Sequence, residues 1–108
     1  MAIKDVKEVF NKVPEILNAH AAQAIDAVFQ FDITGEGGGN WNVAVKSGTC
    51  QVNQGKHSAP TVTLIMSTET WLAVVNKQIN PIQAFMSGKL KVSGDMMLAQ
   101  RIPELFSF

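Results

Sequence analysis

Between residues 27 and 66 apolar and polar residues alternate in four short runs, a period of two that only a β-strand turns into one apolar face. Ala27, Phe29, Phe31 and Ile33 form the first apolar row, with Val28, Gln30, Asp32 and Thr34 between them. After Gly35-Glu36-Gly37-Gly38-Gly39 the alternation resumes as Trp41, Val43 and Val45 against Asn42, Ala44 and Lys46. Gly48 marks a tight turn into a third strand with Cys50 and Val52, and loop 55–60 leads to a fourth with Val62, Leu64 and Met66. Short connections make consecutive strands antiparallel neighbours. The polar alternates predict one wet sheet face, a reading that Val28 and Ile65 qualify.

Helical spacing brackets this region. Residues 5–17, opening at Asp5, bring Val6, Val9, Phe10, Val13 and Leu17 to one side. Pro14 has no N–H and restricts Val13, which predicts a break there, with Pro14 opening a second helical turn. Residues 19–24 are alanine-rich and predict a short helix running into the first strand. Ser67 or Thr68 caps the next helix, with Glu69 in its first turn, and Trp71, Leu72, Val75 and Ile79 share a face. Asn80 then caps a short helix with Pro81 at its first position, and Gly88 ends it. Residues 89–93 alternate again, with Leu90 and Val92 on one side, and Asp95 caps a last helix from Met96. Helix, four strands, two helices, strand, helix reads as α+β: a five-stranded, mostly antiparallel sheet with helices packed over one face.

On the last helix Leu98, Ile102, Leu105 and Phe106 form one stripe, and Met96 and Met97 fall off it. Phe85 and Met86 of the preceding short helix lie beside them. Two readings stand. One is surface or satellite packing; the other is an adaptable apolar wall around a small-molecule cavity, a role that suits methionine.

At 108 residues the chain reads as one domain, residues 1–108, with a single core. Nine basic and nine acidic residues cancel, so no global field draws in nucleic acid or an anionic membrane, and only a local basic patch stays open. The lone Cys50 excludes an intrachain disulfide and fits a reducing compartment. No apolar run approaches the roughly 18 residues of a membrane span. The N-terminus lacks a signal-peptide core, and the Phe-Ser-Phe end lacks the Ser-Lys-Leu peroxisomal address. The expected location is cytoplasmic.

Residues that carry catalysis elsewhere are scattered here. The glycine run 35–39 joins two strands and lacks a Gly-Lys-Ser/Thr ending, so it reads as a flexible hairpin and not a phosphate loop. His20 and His57 stand apart, with no second histidine or acid at ligand spacing, so no metal and no cofactor is expected. Cys50 faces the presumed core side of its strand with no base beside it in sequence, as an inert thiol does. Lys46, Lys56, Lys89 and Lys91 read as solvated, the alternative being that one or two meet an anionic headgroup at a cavity mouth. Without paired carboxylates, a triad or a cofactor fingerprint, nothing asks for an enzyme.

Asn80-Pro81, Ala84-Phe85, Gly88-Lys89-Leu90-Lys91, Gly94, Met96 and Leu98-Ala99 resemble the C-terminal signature of the sterol carrier protein 2 domain. The likeness extends upstream through Trp41-Asn42-Val43, Val62-Thr63-Leu64 and Trp71-Leu72. It implies a five-stranded sheet covered by helices, with an apolar tunnel between the layers. It also implies the ligand class: fatty acids, fatty acyl-CoA, sterols or phospholipids, bound and transferred without catalysis. The lining candidates are Phe29, Phe31, Trp41, Trp71, Val75, Ile82, Phe85, Met86, Val92, Met96, Met97, Ile102 and Phe106. Phe85 and Met96 match the family's apolar motif, as does Leu98, which is assigned to core support; the others follow from periodicity. Because an unfilled cavity is costly, either Met66, Met86, Met96 and Met97 are expected to fold partly into the space when no tail fills it, or a ligand is expected to stay bound through purification. Pro103 departs from the family's unbroken final helix and is expected to distort its last turn, leaving open how residues 104–108 close the tunnel.

The competing reading is a solid-cored accessory or dimerisation domain, because domains resembling this one occur fused to enzymes of acyl-chain metabolism. The expected partners are therefore a long-chain lipid or acyl-CoA, a membrane in transient contact, and an acyl-chain-metabolising enzyme. The chain itself is expected to be a monomer or weak dimer.

Overall fold

The alternating runs become strands and the helical runs short helices, in the order α1 (Val6–Ile16), α2 (Ala19–Ala22), β1 (Asp26–Thr34), β2 (Gly39–Lys46), β3 (Thr49–Gln54), β4 (Val62–Ser67), α3 (Thr68–Val75), α4 (Pro81–Met86), β5 (Leu90–Gly94), α5 (Met96–Ala99) and α6 (Ile102–Leu105). The computed structural model describes residues 6–106; Asp5, the expected helix start, and Ser107 and Phe108 at the expected tunnel closure lie outside the described residues. The five strands form one sheet in the order β3-β2-β1-β4-β5. Three of its neighbouring pairs are antiparallel, and β1 with β4 is parallel. The fold is α+β, as the sequence predicts.

Register fixes which side chains share a face. Phe31 pairs with both Trp41 and Leu64, and Leu64 pairs with Val92, so one apolar row crosses four strands. The helices cover this face. Phe10 of α1 stacks on Trp41 (ring centroids 4.9 Å, planes 10° apart) and meets Phe31 edge-on at 5.4 Å. Phe106, just after α6, meets Phe29 edge-on at 5.7 Å.

The expectation that β3 and β4 are neighbours is wrong. The connection between them crosses the face opposite the helices and delivers β4 beside β1. Gln30, only 3% exposed, holds that crossing. Its Oε1 accepts from the His57 N–H at 2.8 Å and its Nε2 donates to the Gly55 carbonyl at 3.3 Å. Thr61 then docks on β1: its N–H donates to the Val28 carbonyl at 2.9 Å, and its Oγ1 accepts from the Val28 N–H at 3.1 Å. The face expected to be wet is therefore partly covered, and Gln30 and Asn42 are buried on it.

Two helix expectations are also corrected. α1 runs through Pro14 without a break. Val6, Val9, Phe10 and Val13 are all buried; at about 1.5–3 kcal/mol per buried side chain they outweigh the roughly 3 kcal/mol that an interior proline costs. The last helix, expected to be continuous from Met96, is instead two four-residue pieces, α5 and α6, separated at Gln100 and Arg101. Pro103 has no N–H to give the Ala99 carbonyl, so the ladder stops a turn upstream of the proline and not in the last turn.

Candidate functional site

The rings of Phe10, Trp41, Trp71 and Phe31 fill the interior over β1 and β2. Over β4 and β5 the helical layer lifts away from the sheet, and a groove of about 380 Å³ lies between them. Leu64, Leu90 and Val92 form its floor, Ile82 and Phe85 of α4 one wall, and Met96, Ala99, Gln100 and Ile102 the other. It is a groove open to solvent along one side, not a sealed cavity.

Local sequence explains why the walls stand off. Asn80 closes a capping box on α4: its Oδ1 accepts from the Gln83 N–H at 2.8 Å, and the Asn80 N–H donates to Gln83 Oε1 at 3.4 Å. Both reciprocal bonds hold the helix start without help from the core. Among the described side chains of α4 only Ala84 is buried, so a methyl group is its anchor and Ile82 and Phe85 stay free above the floor. No residue of α5 is fully buried; Leu98, expected to support the core, and Ala99 pack partly against it. α5 is held by its ends: Asp95 Oδ1 accepts from the Leu98 N–H at 3.0 Å, the Asp95 N–H donates to the Thr61 carbonyl at 3.0 Å, and Arg101 Nη2 donates to the Ala21 carbonyl at 3.4 Å. Gly94 makes that approach feasible. Its φ is 94°, and a Cβ there would collide with the Thr61 carbonyl oxygen.

The lining contains one polar side chain, Gln100, and no charged one. It can desolvate a run of methylenes; it offers no acid, base or nucleophile to a reacting group. Among the described residues no three His, Cys, Asp or Glu side chains converge as metal ligands. Cys50 sits half-buried on edge strand β3 opposite Val45, and burial pushes its thiol up from the ordinary value. His57 Nδ1 accepts from the Ala59 N–H within its own loop.

The sequence candidates separate into three groups. Ile82, Phe85, Val92, Met96 and Ile102 line the groove together. Phe29, Phe31, Trp41, Trp71, Val75 and Phe106 are buried in the packed core and do not line it. Met86 and Met97 stand outside it at 80% and 81% exposure, and Met66 is packed in the core, so of the four methionines expected to fold into the space only Met96 borders it. Leu64, Leu90, Ala99 and Gln100 were not among the candidates. The two leucines carried a signal, being on the same period-two rows as Met66 and Val92; Ala99 and Gln100 carried none.

No helix among the described residues is long and apolar enough to cross a membrane. The model of the SCP-2 sterol transfer family matches residues 6–107. Hydroxysteroid dehydrogenase-like protein 2 of Rattus norvegicus is 36% identical over 103 residues, which are 94% of this chain and 20% of that protein. The chain spans about a fifth to a quarter of the length of the curated relatives it matches. Palmitated SCP2L2 from Aedes aegypti superposes with a TM-score of 0.74 at 27% identity, covering 93% of this chain and 92% of that one. A stereoselective inverting sec-alkylsulfatase from Pseudomonas sp. shares the fold at a TM-score of 0.77 and 18% identity, over 93% of this chain and 16% of its own. With the sheet order, the helical cover and a family match across nearly its whole length, the chain belongs to the SCP-2 sterol transfer family.

Proposed function

We propose that the chain, as one lipid-binding unit, holds the tail of a fatty acid, fatty acyl-CoA, sterol or phospholipid in the groove between α4, α5 and the β4–β5 side of the sheet, and carries or presents it without catalysis. The observation that carries this reading is the lining: eight of nine side chains are apolar around about 380 Å³. That volume lies in the range of about 300–1,000 Å³ typical of small-molecule sites. A tail laid in the groove would turn it into the tunnel that the family resemblance implies. Burying about sixteen methylenes at ~0.8 kcal/mol each gives roughly 13 kcal/mol gross. Association costs on the order of 4–15 kcal/mol, so micromolar affinity needs no specific polar contact. The ligand's charged end stays at the mouth in water, because no charged side chain inside would compensate its desolvation. The palmitated relative from Aedes aegypti supports the same ligand class.

A second reading, an accessory or dimerisation domain beside an acyl-chain-metabolising enzyme, draws on the packed aromatic core over β1 and β2. It also draws on relatives in which the matched region is a minor part of the chain.

Titration of delipidated protein with a fluorescent fatty acid, followed by displacement with palmitate, tests the first reading. Saturable binding at micromolar or lower concentration is expected. Absence of binding, together with no lipid in a solvent extract analysed by mass spectrometry, would overturn it in favour of the second.

A further inference from the structure

The groove meets a ligand with one polar side chain, Gln100. That residue follows α5 at the break before α6, where its N–H donates to the Met96 carbonyl at 3.2 Å and closes the last turn. Its side chain is exposed, and among the described residues the carboxamide has no hydrogen-bond partner. The neighbouring cation is spent elsewhere. Arg101 does not line the groove: its Nη2 donates to the Ala21 carbonyl at 3.4 Å and its Nε to Glu104 Oε2 at 3.5 Å. On the same wall Met96, Ala99 and Ile102 are apolar. The polar end of a lipid whose tail lies along that wall therefore finds Gln100 and no other polar side chain.

We propose that Gln100 selects the ligand's head: it hydrogen-bonds a lipid hydroxyl and biases the groove toward neutral, hydroxyl-ended lipids over ionised fatty acids of the same length. The proposal rests on the lipid-binding reading above; apolar burial supplies the affinity and this contact supplies the discrimination. A carboxamide donates through Nε2 and accepts through Oε1. A hydroxyl also does both and brings no charge, so it can take either bond and is cheap to desolvate. A carboxylate only accepts, and it brings a charge that no cation in the lining offsets, so water holds it better. One bond between neutral groups shifts affinity roughly two- to ten-fold.

Displacement of a fluorescent fatty acid from delipidated protein by 1-hexadecanol and by palmitate, at a pH where palmitate is ionised, tests this. The two lipids differ in water solubility, so the readout is the change in their affinity ratio between wild type and variant. Gln100→Met keeps the length of the side chain without its amide. It is expected to weaken hexadecanol roughly two- to ten-fold and palmitate less. Gln100→Lys supplies a cation and is expected to strengthen palmitate by up to about five-fold, tilting the ratio the other way. Gln100 is exposed, so both variants should keep the wild-type circular dichroism spectrum and unfolding midpoint. An unchanged ratio in either variant overturns the proposal, as does a larger loss for palmitate than for hexadecanol in Gln100→Met. With saturable binding by the wild type, those outcomes leave the groove reading standing. A wild type that binds neither lipid overturns the groove reading, and this inference with it.

Discussion

The ring of Phe10 lies parallel to that of Trp71, with centroids 5.1 Å apart and planes 9° from coplanar, and the same Phe10 ring stacks on Trp41. One side chain of α1 therefore ties the first helix to both β2 and α3, and it fills the interior over that half of the sheet. Phe10→Ala is expected to cost about 3–5 kcal/mol, because the cavity left between two indoles cannot collapse. Urea denaturation checks this, with Phe85→Ala as the contrast. Phe85 is half-exposed on a wall and its loss should cost under about 1 kcal/mol. Similar losses in the two variants would refute the division into packed core and groove.

Ala99 is the smallest side chain of the lining. Ala99→Trp adds a large ring over the groove without replacing any core contact of Phe10 or Trp71. Fluorescent fatty-acid affinity should fall by roughly ten-fold or more, since loss of even two buried methylenes from the bound tail weakens it by about 1.6 kcal/mol. The thermal unfolding midpoint should stay near the wild-type value. Unchanged affinity in a folded variant would remove the groove as the binding site.

The sequence made the faces legible and left their depth hidden. Period two put Phe31, Trp41, Leu64 and Val92 on one side, where register confirms them. The same pattern cannot tell whether a neighbouring ring or a ligand covers such a row, so Phe29, Phe31 and Trp41 look no different from Val92 in sequence, and helical spacing leaves Trp71 equally open. The missing information was the position of Phe10, a contact across the fold. The β3–β4 crossing escaped for a similar reason. It depends on Gln30, a polar residue on an apparently wet face that is buried by hydrogen bonds to loop backbone. Caps, by contrast, are local chemistry, and Ser67, Asn80 and Asp95 all accept the helix N–H groups that their positions predict.

Asn80→Ala removes the side chain that caps α4. The expected cost is about 0.5–2 kcal/mol, and it should be concentrated in one wall, since α4 buries only Ala84 among its described side chains. Hydrogen exchange should accelerate across residues 82–86, with β1 and β2 unaffected. Uniform acceleration across the sheet would mean that α4 is part of the main cooperative core and not a separately held wall.

Cys50 gives the chain a pH signature. Burial raises the thiol above its ordinary value, so the unfolded chain loses this proton at lower pH than the folded one. Below the ordinary value both states are protonated, and the thiol adds no pH dependence. As pH rises from there through the folded value, unfolding releases a proton and stability falls. The urea midpoint should therefore drop more steeply on the alkaline side for the wild type than for Cys50→Ala, with parallel behaviour at neutral pH. Iodoacetamide provides the direct check: at mildly alkaline pH the native thiol should alkylate more slowly than the same thiol in urea, because less of it is thiolate and packing against the core half covers it. Equal rates in the two states would contradict the placement of Cys50 against the sheet.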